Sequence, residues 1–65
     1  MSNGVYATVL CAAAAMVTRY GRAAGTVLRK RAEDARRGGD EPAARAIGDI
    51  AEAADALNWG RIVAG

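Results

Sequence analysis

Residues 35–43 read Ala-Arg-Arg-Gly-Gly-Asp-Glu-Pro-Ala, and this stretch decides the fold. Arg36 and Arg37 stand where cations complement the C-terminal end of a helix dipole. Gly38 and Gly39 follow as a helix stop. Asp40 is a preferred helix N-cap, and Glu41 and Pro42 suit a first turn, where an anion is favoured and proline loses no hydrogen bond. The stretch therefore predicts a tight turn between two helices, joined antiparallel as a hairpin.

The charge reverses at this turn. Arg19 to Arg37 holds seven basic residues against Glu33 and Asp34, whereas Asp40 to Asp55 holds five acids against Arg45. The net charge is only +2. Laid side by side, the two arms can neutralise each other.

Outward from the turn, helical periodicity continues in both directions. On the N-terminal side a helix is predicted over about 22–37, with Ala24, Val27, Leu28, Ala32 and Ala35 as its apolar stripe. Arg31 falls within that stripe by spacing. A guanidinium there has to reach solvent or a carboxylate, so Arg31 is expected in a buried ion pair with Asp49, Glu52 or Asp55, or with an acid of another subunit. On the C-terminal side a helix is predicted over about 41–58. Ala43, Ile47, Ile50, Ala54 and Leu57 form a four-three seam, extended by Ala44 and Ala51. Gly48 within it suggests a close backbone crossing. Asn58 or Gly60 is expected to end the helix, with Trp59 and Ile62 folding back over the core.

A third helix, at about 5–20, precedes both. Val5, Val9, Ala13, Met16 and Tyr20 recur at helical spacing, widened by Tyr6, Leu10 and Val17. Thr8, Cys11, Ala14 and Thr18 occupy the other side, so no face carries a charge and burial on more than one face is expected. Cys11 reads as a small buried hydrophobe. Gly21 is expected to break or kink the chain between the first two helices, and Gly21 with Gly25 suggests a close helix contact.

The 65 residues make one small all-α domain, 1–65. Chains of this size bury only about 60% of their unfolded surface. Seventeen alanines supply much of the apolar content, and alanine buries little area per residue. One cysteine allows no internal disulfide. Oligomerisation, most simply as a homodimer, is the expected compensation, completing the three helices as a bundle.

Chemistry is poorly provided for. The sequence has no His, the commonest general base, and with one Cys it offers no zinc framework. The turn at 37–40 lacks the Lys-Ser/Thr sequel of a phosphate loop. No enzymatic activity, cofactor or metal is expected. The row Asp49, Glu52 and Asp55 reads as a solvated or cation-pairing face rather than a metal site.

The leading expectation is a cytoplasmic, non-catalytic interaction or regulatory module. It docks on itself or on a larger protein, with Met16, Val17, Tyr20 and Trp59 contributing to the surface. Two alternatives stand beside it. Arg22, Arg29, Lys30, Arg36 and Arg37 can be read as phosphate contacts to nucleic acid, with Arg22, Arg29 and Arg36 forming one ridge at seven-residue spacing. Against this, Glu33 shares the face and the helix after the turn is acidic, unlike a DNA-reading helix. The apolar segment 5–18 can also be read as a membrane-associated helix, although its uncharged run falls short of the roughly 20 residues a span requires. A secretory signal is not expected, since residues 1–18 contain no Lys or Arg.

A wider pattern supports the fold. Met16-Val17-Thr18-Arg19-Tyr20-Gly21, Arg31-Ala32-Glu33, Gly39-Asp40, Ala44, Ile50, Ala53 or Ala54, and Leu57 together resemble small bacterial Ala-rich helical-hairpin proteins. The likeness covers residues 16–57. Those proteins often carry a Trp before an Ile of the last helix, where this chain has Ala46-Ile47 and its Trp at 59. The resemblance implies an all-α hairpin and no particular activity.

Overall fold

Asp40 organises the centre of the molecule. In a computed structural model, which describes the backbone of residues 2–64 and the side chains of residues 7–60, the Asp40 N–H donates to the Ala35 carbonyl at 2.9 Å and the Gly39 N–H to the Arg36 carbonyl at 3.0 Å. This is the Schellman arrangement that closes a helix, with Gly39 in the left-handed conformation at φ 84°. The Asp40 carboxylate then accepts the Ala43 N–H at 3.1 Å, and its carbonyl accepts the Ala44 N–H at 3.0 Å. One residue thus ends one helix and caps the next.

The chain is all-helical. The first helix, α1, spans Ser2–Tyr20, the second, α2, spans Ala24–Arg37, and the third, α3, spans Glu41–Ala64. A single 3-10 turn, Gly21–Ala23, lies between α1 and α2. In place of three separate helices, then, there are two helical runs, because α1 passes into α2 with no loop. Gly21 takes the left-handed conformation at φ 59° and redirects the chain, while the Ala24 N–H bonds the Gly21 carbonyl and keeps the turn helical.

At its far end α3 also departs from expectation. It runs through Asn58 and Gly60 to Ala64 rather than stopping near 58. Among the described residues only Gly21 and Gly39 have positive φ, so neither Asn58 nor Gly60 acts as a left-handed stop. The amide of Asn58 instead donates to the Gly21 carbonyl at 3.1 Å, tying α3 to the elbow.

Both α1 and α2 pack on α3 and touch each other little. The core cluster is Ala13, Val17, Ala24, Leu28, Ala51 and Ala54, with Met16, Tyr20, Ile47, Ile50, Ala53 and Leu57 packed against it. Ala32 and Ala44 are buried closer to the turn. Small side chains let the helices approach closely. At Gly25 a methyl group would collide with the Asp55 carboxylate of α3. The close crossing expected at Gly48 is absent, since a methyl there would meet no atom within 4 Å.

The cost of an alanine core is surface left open. Among the described residues no large side chain is fully buried. The chain is flat and extended, measuring 40 × 30 × 16 Å along its principal axes. Its radius of gyration is 12.0 Å, against about 10.7 Å for a compact chain of 65 residues.

Candidate interaction surface

The four residues expected to form one docking surface are placed differently from one another. Val17 is buried in the core, at 7% exposure. Met16 and Tyr20 are half-buried and pack against that core. Trp59 is 67% exposed, the one large hydrophobic side chain so displayed among the described residues. It does not fold over the core, because α3 continues past it and carries it outward. The side chain of Ile62 lies outside the described residues, as do those of Val5 and Tyr6.

Arg31 is exposed rather than buried in an ion pair. Its guanidinium stacks 5.9 Å from the Tyr20 ring centroid and donates to the Tyr20 hydroxyl at 3.3 Å. Arg19 approaches the same ring at 5.6 Å. Helical spacing placed Arg31 within the apolar stripe, but the folded chain leaves that position exposed. The long side chain lies along Tyr20 and keeps its charge in water.

The tie between the basic and acidic arms is carried by Arg29, which bonds Asp55 at 2.6 Å. Arg36 pairs with Glu41 across the turn at 3.2 Å, and Arg37 with Glu33 one helical turn away at 3.0 Å. Three of the five residues read as phosphate contacts thus already face carboxylates. The remaining two, Arg22 and Lys30, are exposed. All three pairs are half-exposed or more, the range in which a pair is worth at most about 1 kcal/mol.

The uncharged helix α1 shows two kinds of surface. Its inner face buries Ala13 and Val17, with Val9, Leu10, Met16 and Tyr20 half-buried beside them. Its outer face, comprising Ala7, Thr8, Cys11, Ala14, Ala15 and Thr18, is exposed. Cys11 therefore lies at the surface and not in the core, since α3 covers one side of α1 only. The Thr18 hydroxyl donates to the Ala14 carbonyl at 2.9 Å, so it needs no outside partner. Sequence reading foresaw a helix without charge on any face. It could not foresee which face would lack a neighbour.

A shallow depression lined by Glu41, Pro42, Arg45, Ala46 and Asp49 is the outer side of α3 alone. Among the described residues no three potential metal-ligating side chains gather, and no helix is long and apolar enough to cross a membrane.

No family model matches the sequence, and neither a curated protein nor a solved structure matches it.

Proposed function

We propose that this chain is a non-catalytic protein-interaction or regulatory module, acting as a homo-oligomer or as a small subunit docked on a larger protein. The observation that carries the reading is the charge-free helix α1, exposed along Ala7, Thr8, Cys11, Ala14, Ala15 and Thr18, beside a core of small residues. The carboxylates facing Arg29, Arg36 and Arg37 favour this reading over nucleic-acid binding. Trp59 is the natural anchor for a larger partner, as an exposed tryptophan of the kind that dominates many interfaces.

The test is mass in solution together with affinity purification from the native host. The expected result is either a sedimenting species above monomer mass or a partner recovered at fixed stoichiometry. Where a larger partner is recovered, Trp59→Ala weakens the complex about tenfold or more while leaving the helical signal unchanged. A monomer at all concentrations with no stoichiometric partner overturns the proposal.

A further inference from the structure

Resting on that reading, we infer that Arg19 and Arg31, gathered around Tyr20, are a docking site for an acidic segment of a partner protein. The two guanidinium groups lie 5.6 and 5.9 Å from the centroid of the one ring. Arg31 also donates to the ring hydroxyl at 3.3 Å. Each cation gains from the face of the ring, but the two repel each other. Among the described residues neither has a carboxylate within bridging distance, whereas Arg29, Arg36 and Arg37 each have one. The side chains of residues 1–6 and 61–65 bring no Asp or Glu that could serve. Arg31 even turns from Asp34, three residues on, to reach Tyr20 on the other helix.

Charge complementarity names the occupant. Two guanidinium groups converging on one ring, with no counter-charge, are matched by carboxylates, which the planar arginine fork binds through two parallel hydrogen bonds. Carboxylates one helical turn apart, or two residues apart on a strand, are separated by about 6–7 Å, so one short segment can engage both arginines. Apolar residues of that segment have a place as well. Met16, one turn before Tyr20, and Val27, one turn before Arg31, are half-buried and leave part of their surface open. A continuous phosphate backbone fits less well. Along α2 the exposed Asp34 follows Arg31 within one turn, and such a backbone running on from the cluster would meet its charge. The extent of the positive surface therefore suits a short acidic segment and not a long polyanion.

Fluorescence anisotropy on the full chain tests this with a labelled peptide of alternating Glu and Leu, its counterpart with Gln in place of Glu, and a single-stranded oligonucleotide of equal charge. The variants are Arg31→Gln, Arg19→Gln and a control, Arg36→Gln, which removes the same charge at the far turn. All three positions are exposed, and circular dichroism verifies that each variant keeps its helix content. The wild type is expected to bind the Glu peptide and not the Gln peptide. Arg31→Gln and Arg19→Gln are each expected to weaken binding about tenfold or more, and Arg36→Gln to leave it unchanged. No binding of the Glu peptide overturns the site, as does equal weakening by all three variants, which would mean attraction to net charge alone. An oligonucleotide bound more tightly than the peptide, with the same loss in Arg31→Gln, gives the cluster to nucleic acid and also overturns the proposal. Each of these failures leaves the interaction reading standing, since mass in solution and recovery of a stoichiometric partner decide that reading separately.

Discussion

The two joints of this chain turn it by opposite means. At residues 38–40 the connection is written locally: a left-handed Gly39, two bonds closing α2 and two made by Asp40 to open α3. Every group involved lies within ten residues. At the elbow of residues 21–23 the left-handed Gly21 is again present, but no capping side chain is supplied by its neighbours. The stabilising donor is Asn58, 37 residues away on α3. The first joint should form whenever its sequence forms, whereas the second holds its angle only once α3 is docked.

The largest expected effects come from the glycines themselves. Neither Gly21 nor Gly39 has an atom within 4 Å of where a methyl group would lie, so only the left-handed backbone opposes alanine. Gly21→Ala and Gly39→Ala should each cost about 1–2 kcal/mol, lowering the melting temperature by roughly 4–8 °C per kcal/mol in a domain of this size. Thermal melts at one fixed protein concentration measure this. Equal losses from both would show that strain, and not packing, sets the requirement.

Next come the side chains that hold each joint. Asp40→Ala should cost about 1 kcal/mol through the lost N-cap, and Asn58→Ala a similar amount through the lost bond to Gly21. A double-mutant cycle sharpens the contrast between the joints. Asn58→Ala should couple to Gly21→Ala by 0.5 kcal/mol or more, yet add to Asp40→Ala within about 0.5 kcal/mol. Coupling of Asn58 to Asp40 would mean that the two joints fold as one unit and the distinction between them is mistaken.

The same division explains what could be read from sequence. The turn was legible almost bond by bond because Arg36 through Ala43 carry its instructions in order. The alanine and isoleucine seam of α3 was legible for the same reason, since periodicity is local. Arg31, Cys11 and Trp59 were misplaced because their surroundings depend on where a second helix lies. Arg31 falls within its stripe by spacing, and only the packing of α1 beside α2 gives it Tyr20 and water in place of a carboxylate. Asn58 looked like a helix stop, as it would in isolation. Its amide is engaged by the elbow, and α3 continues. For the candidate site, the uncharged character of α1 was plain in the sequence, while its one-sided covering was not.

Two further glycines, both in helices, separate contact from propensity. Gly48 has open space around it, so Gly48→Ala should raise stability by about 0.8 kcal/mol, as expected for removing a helical glycine. Gly25 is buried against Asp55, and the added methyl would have to push that carboxylate aside. The displaced group is the end of a mobile side chain, so the loss is chiefly the Arg29–Asp55 pair, whose side chains are 58% and 50% exposed. Such a pair is worth about 0.2–1 kcal/mol, and the helical gain from alanine is of the same size and opposite sign. Gly25→Ala should therefore change stability by less than about 0.5 kcal/mol. The telling measurement is salt. Wild-type stability should fall slightly as salt screens the pair, and Gly25→Ala should show a shallower dependence. A loss well above 1 kcal/mol would instead mean that α2 and α3 are held at Gly25 by backbone contact, and that the tie between the arms is as rigid as the turn.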